Sequence, residues 1–348
     1  MYKSSFIPSI ILIFLFTFTM ASQAQYSGGS GTYKDPYQIA NVSDWQTLVK
    51  TSADWNKKFI MTADLDLKGI PITPIGNISK QFTGVFNGNG HIICNADVNM
   101  PDDVCIGLFG IVEDDAQICN LGIENITVNG RDHVGGLVGW NEGSITACYI
   151  NGSVNGDRFV GGLVGAGAGA LGSITNSYAI VGVKGFDDVG ALVGSASCRI
   201  TACYATGLVS GFNVHGLIGW GVVSKISACF WDVETTGQTD SYGGTGKTTA
   251  EMKTRSTYTD AGWDFVGETD NGTEDTWSIC EGTNYPRLTW QIPTADWLCP
   301  DGVGMEDFSY LAQFWMILED DIPVDLDKNN AVGISDLIIF SEQWLMGR

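Results

Sequence analysis

Between residues 106 and 232 the apolar positions come in short clusters separated by glycine, and the clusters recur. Val134-Gly135-Gly136-Leu137-Val138-Gly139 returns at 160–165, 189–194 and 214–219, after a shorter copy, Ile106-Gly107-Leu108-Phe109-Gly110. From leucine to leucine the steps are 29, 26, 29 and 25 residues. A second element, Ser144-Ile145-Thr146-Ala147-Cys148-Tyr149, returns at 173–178, 199–204 and 225–230. A third, Gly152-Ser153-Val154-Asn155-Gly156, has counterparts at 182–185 and 207–211. The pattern predicts three short β-strands per unit with glycine-rich corners that permit left-handed backbone, and no helical period. One such unit cannot bury its apolar face alone, so the units must stack. Stacking at ~4.8 Å per strand makes a parallel β-solenoid. Leu108, Leu137, Leu163, Leu192 and Leu217 should then form one interior column, and Ile118, Ile145, Ile174, Ile200 and Ile226 another. A β-propeller is excluded, because its blades need four antiparallel strands and ~40 residues.

These units resemble the GLUG motif repeats of bacterial secreted and surface proteins. The resemblance implies a right-handed parallel β-helix and an adhesin-like or surface role, with no catalytic site carried by the repeat. Upstream, Gly31-Thr32-Tyr33-Lys34-Asp35-Pro36-Tyr37 and Phe82-Thr83-Gly84-Val85-Phe86-Asn87-Gly88 read as less regular opening turns over 25–105. The repeats occupy 106–232, and 233–291 is expected to close the far end, because a bare solenoid end exposes unpaired strand edges.

Residues 1–24 read as a secretory signal, with Lys3, an apolar run over 10–16 and Ser22-Gln23-Ala24 as a cleavage site. The run is shorter than the ~20 residues a membrane span requires, and no other span follows. A secreted or cell-surface protein is the expectation. Lys and Arg number 18 against 39 Asp and Glu, a net charge of −21, which argues against nucleic acid as a partner. It leaves room for Ca²⁺, which prefers oxygen ligands. Nine cysteines in an exported chain invite disulfides. However, Cys148, Cys203 and Cys229 share a column with Leu121 and Ser177, which points to packing. Cys280 and Cys299 remain a candidate pair. Gly243-Gly244-Thr245-Gly246-Lys247-Thr248-Thr249 imitates a phosphate-binding loop, but the residues before it are polar where a buried strand is needed, so nucleotide binding is discarded.

After Trp290 the spacing becomes helical. Phe308, Leu311 and Trp315 fall at i, i+3, i+7, and Leu337, Phe340 and Trp344 repeat the triplet 29 residues later. Ahead of the second triplet, Asp325, Asp327, Asn329 and Asp336 take positions 1, 3, 5 and 12 of a twelve-residue loop, with the Ala331 carbonyl at 7. That spacing suits Ca²⁺, and the competing reading is an acidic loop that caps a helix through Asp336. Residues 292–348 resemble a type I dockerin, a paired EF-hand-like unit, which implies a cohesin-like receptor. The first loop departs from the pattern, with Leu298 and Pro300 at positions 3 and 5, and Asp301 fits only in a shifted register.

Asp132, Asp157, Asp187 and Asp188 precede the repeat cores and share one edge of the expected coil. They could form a carboxylate patch for sugars or cations, or be solvated turn residues. Trp140 and Trp220 follow the cores where other copies carry Ala166 and Ser195, and are candidates for sugar stacking. No catalytic residue is assigned. The function expected is a non-catalytic adhesion or glycan-binding module tethered by its tail. The alternative is a β-helical polysaccharide lyase or glycoside hydrolase carried by a multi-enzyme assembly.

Overall fold

In the computed structural model, which describes residues 25–299, 301–318 and 322–344, successive units stack as rungs of a parallel β-solenoid of about six turns. The signal-like segment 1–24 and Pro300 lie outside the described residues. A repeat turn has four strands, not three, except that the turn opening at Arg199 breaks its second strand into Tyr204–Thr206 and Val209–Gly211. In one turn they are Ser144–Thr146, Tyr149–Asn155, Arg158–Gly161 and Val164–Gly167, and the faces they build are called first to fourth in that order. The glycine-leucine centre of each core is a corner that splits it between the third and fourth faces. The third expected piece is a continuation of the second strand, because the intervening residues stay extended and keep pairing with the next rung.

The two apolar columns form as their spacing requires. The five leucines are fully buried, and N–H groups of Leu137, Leu163 and Leu192 donate to the carbonyls of Leu163, Leu192 and Leu217 at 3.0, 2.9 and 2.9 Å. Ile118, Ile145, Ile174 and Ile200 are in register on the first face and fully buried, while Ile226 is half-buried on the last rung. The corner between first and second faces is left-handed, but glycine does not supply it. Asn120, Ala147, Asn176, Ala202 and Ala228 all sit there with φ between 48° and 53°. Interior residues on both sides hold them in this strained region. Glycine serves close approach instead: a Cβ on Gly136 would lie 2.0 Å from Ile150 Cδ1 on the second face.

Cys148, Cys203 and Cys229 are buried with Leu121 and Ser177 in one column, and the Cys148 N–H donates to Ser177 Oγ at 3.1 Å. Burial pushes the Cys148 and Cys203 thiols well above their usual range, so they stay protonated filler. Cys280 and Cys299 are joined as a disulfide.

At the opening end, Tyr37–Ile39, Lys58–Met61 and Val85–Asn87 extend the first face. Between the first two of these lies a helix the periodicity did not announce, α1 (Val42–Lys50), capped by the Asn41 side chain, which accepts from the Ser43 and Asp44 N–H groups. It buries Trp45 and Leu48 in the end of the core.

The far end meets the expectation in part: residues 240–247 close the last rung, with the Gly216 N–H donating to the Asp240 carbonyl at 2.8 Å and the Ile218 N–H to Ser241 Oγ at 2.9 Å. Thr245–Lys247 pairs in parallel with Phe230–Asp232, so the phosphate-loop imitation is a strand. Residues 249–291 then turn back along the side of the coil as a strap over the second face, instead of capping its end. The cause is the tyrosine of each second element. Tyr149, Tyr178 and Tyr204 point outward and stack at 5.2 and 4.8 Å, an apolar ladder that water would otherwise wet. Met252, Tyr258, Trp263, Trp277 and Leu288 cover it and make a second core. The tail follows, with helices α2 (Met305–Gln313) and α3 (Ile334–Glu342) around Val303, Leu311, Val324, Val332 and Phe340.

Candidate functional site

The corner acids do not form a shared carboxylate patch. On the third face Asp132, Arg158 and Asp187 are in register, so charge alternates from rung to rung. Arg158 Nε lies 3.8 Å from Asp187, and Arg131 Nε lies 3.6 Å from Asp132. The Asn213 amide donates to Asp187 at 2.9 Å and to Asp188 at 3.3 Å. Desolvation, helped by the neighbouring Asp187 charge, raises the Asp188 carboxyl above its usual range. Asp157 is exposed, and its carbonyl accepts from Phe186 and Asp187. Each acid is therefore a ladder or turn residue, and the arrangement offers no opposed acid-base pair.

Trp140 and Trp220 do share one column of the fourth face, with Ala166 and Ser195 between them. Three rungs separate them, ~14 Å, over a floor of small side chains. Trp140 is half-buried, donates to Glu142 Oε1 at 3.1 Å and packs against His133 at 5.0 Å; Trp220 is 45% exposed.

A larger concavity lies on the opposite side of the chain path, between the second face and the strap. This cleft of about 710 Å³ is lined by Asp64, His91, Glu124, Tyr149, Arg287 and Trp290, among others. Asp64 Oδ1 lies 3.0 Å from His91 Nδ1 and accepts the Ile92 N–H at 2.9 Å, which orients both groups at the cleft wall. Tyr149 Oη donates to Glu124 at 2.6 Å, and Tyr178 Oη donates to Gln291 at 2.9 Å. Burial drives all three ladder phenols well above their ordinary range, so they act as hydrogen-bond donors and never as phenolates near neutrality. None of these cleft residues was singled out from sequence. The recurring tyrosine was visible in the second element, but Trp290 reaches Ala147 across 143 residues, which no local pattern reports.

In the tail, the carboxylates of Asp325, Asp327 and Asp336 lie within 4.8 Å of one another. Asn329 sits among them, its N–H donating to both Asp325 and Asp327 at 3.2 Å. Asp336 is buried and accepts from Leu326, Asp327 and Gly333, so it also caps α3. Ala331 lies in the same loop, after Asn330 at φ 64°. The donor set fits a hard cation: all oxygen, three converging negative charges, and lone pairs left over after the backbone bonds are counted. The first loop copies the capping but not the convergence. Asp307 accepts from Trp297, Leu298 and Gly304 as Asp336 does, yet Leu298 stands where Asp327 would supply charge. Between α2 and α3 runs an apolar groove of about 410 Å³, lined by Met305, Phe308, Leu337, Phe340 and Trp344.

The family model of the GLUG motif matches residues 130–155. Halomucin of Haloquadratum walsbyi is 32% identical over 127 residues, 34% of this chain and 1% of that protein. A protein of Evansella cellulosilytica, provisionally named a Gly-rich membrane protein, is 31% identical over 155 residues, 41% of this chain and 18% of its own length. The chain thus spans a small part of these relatives. A solved structure from Bacteroides ovatus, provisionally assigned as an immunoglobulin A1 protease, superposes with a TM-score of 0.59. It is 20% identical and covers 76% of this chain and 96% of its own, a likeness of fold. The chain is a β-solenoid carrying GLUG-motif repeats.

Proposed function

We propose that this chain is an exported, non-catalytic repeat protein. Its solenoid binds glycans or cell surfaces, and its tail docks onto a cohesin-like receptor with the help of Ca²⁺. The observation that carries the proposal is the tail: a duplicated loop-helix unit that leaves Met305 63% exposed beside Phe308 and Leu337 while gathering three carboxylates in one loop. An apolar groove of this kind is an expected seat for a partner. Ca²⁺ would be held by Asp325, Asp327, Asn329 and Asp336 and by the Ala331 carbonyl, and would supply the positive charge that fixes the loop. Asp336 links that loop to the start of α3, and so to the groove.

Calorimetric titration of the full chain with Ca²⁺ tests this. One binding event is expected, absent in Asp325→Ala. A cohesin-type receptor should bind in Ca²⁺ and leave in EDTA, and Phe308→Ala should weaken it at least tenfold. A chain that takes up no Ca²⁺ overturns the tether.

A polysaccharide-degrading enzyme is the second reading, and one observation favours it: the Asp64–His91 pair opens on the same cleft as Glu124 and Tyr149. Release of reducing ends or unsaturated products from a polysaccharide would establish it.

A further inference from the structure

We infer that the cleft between the second face and the strap binds an uncharged, hydroxyl-rich oligosaccharide laid along the solenoid axis. The inference rests on the glycan-binding reading of the solenoid and names the face and ligand class. Direction comes from register. The accessible lining residues belong to consecutive rungs, from Asp64 and His91 to Glu124 and Tyr149, and the cleft ends where the strap buries Tyr178 and Tyr204. A rung advances ~4.8 Å, comparable with one pyranose ring of an extended chain, so each ring would meet the same face of a new rung. The volume is that of a ligand site rather than a surface dimple.

Class comes from the chemistry of the walls. Carboxylate oxygens of Asp64 and Glu124 are strong acceptors for hydroxyl donors, and Gln291 and Asn284 add amides. Trp290 stands half-buried at the wall, its ring tilted against Tyr149 at 5.6 Å, and offers apolar surface to the carbon faces of a sugar. Two carboxylates outnumber the Arg287 guanidinium in the lining, and with a chain of net charge −21 they disfavour an acidic polysaccharide. An extended peptide is disfavoured because the strands carrying Glu124 and Tyr149 are paired on both sides within a ten-stranded sheet, whose terminal strand here, Leu65–Asp66, is only two residues long.

The test is calorimetry on the full, Ca²⁺-loaded chain with cellohexaose, xylohexaose, mannohexaose and, as the acidic probe, hexagalacturonate. At least one neutral hexasaccharide is expected to bind. Asp64→Asn and Glu124→Gln, which keep shape and hydrogen bonding, should each weaken it about tenfold. Trp290→Ala should abolish it, with near-ultraviolet circular dichroism confirming that the strap stays packed. Trp140→Ala and Trp220→Ala should leave it unchanged. Tighter binding of hexagalacturonate overturns the ligand class. A neutral sugar lost with Trp140 or Trp220 but indifferent to Asp64 and Glu124 overturns the cleft and leaves the glycan-binding module standing. No binding by any of the four overturns both.

Discussion

Gly136 and Ile150 show how single residues set the width of the coil. The positions opposite the core glycines run Ile150, Ala179, Ala205 and Trp231 in register. Where the side chain is large the corner is bare: Gly136 faces Ile150, and a Cβ on Gly216 would lie 2.0 Å from Trp231 Nε1. Where it shrinks to Ala205 the corner residue is Ala191, whereas opposite Ala179 the corner stays bare as Gly162, because a Cβ there would run into the Ala191 carbonyl of the next rung. Gly136→Ala and Gly216→Ala should therefore each cost ~1–3 kcal/mol in urea unfolding, read as a lower midpoint. Ala191→Gly should cost nearer ~1 kcal/mol. In the tail, Asp296 is the first-loop counterpart of Asp325. Desolvation raises its pKa to about 6, and the nearby Asp307 and Asp301 charges add to the shift. That lies above the ~3.9 of an unfolded aspartate, so the folded tail holds a proton that the unfolded chain has lost. Tail stability should fall as pH rises from about 4 to about 6. Asp296→Asn should remove that slope and raise the tail's melting temperature at pH 7, followed by Trp297 fluorescence.

Strands of the repeat were legible because each leucine and isoleucine recurs with a period that only stacking can bury. The strap was not. Its helices and strands are short, it has no period, and its partners are remote: Tyr204 Oη donates to the Pro286 carbonyl at 2.7 Å across 82 residues. What holds it is aromatic burial, with Trp263 and Trp277 at 4.5 Å and both fully covered. Trp277→Ala should cost ~3–5 kcal/mol, and limited proteolysis should then cut within 249–290 before the repeats are touched. Tyr204→Phe keeps the ring and removes one buried donor, so the loss should be ~1 kcal/mol. The cleft shares the strap's illegibility. Its Asp64, Glu124 and Trp290 are ordinary residues in sequence, and only the folding back of the strap encloses them.

At the scale of the molecule, the Cys280–Cys299 disulfide ties strap to tail across 19 residues. Closing a loop of that length stabilises by ~3 kcal/mol in the chain-entropy treatment. Reduction should lower the unfolding temperature of strap and tail together while the repeats keep theirs, a separation visible by calorimetry. The amino-acid sequence by itself determined the stacking, because a 25–29-residue period of leucine and isoleucine has one economical burial. It also determined the tail's loop spacing, since residues 325–336 are contiguous. Tertiary structure alone decided that Asp187 and Asp188 would meet Arg158 and Asn213, and that the tyrosines would face out beneath a strap. It alone decided, too, that a cleft would open there. Those outcomes depend on which rung each residue meets and on contacts more than eighty residues apart, and periodicity carries no information about either.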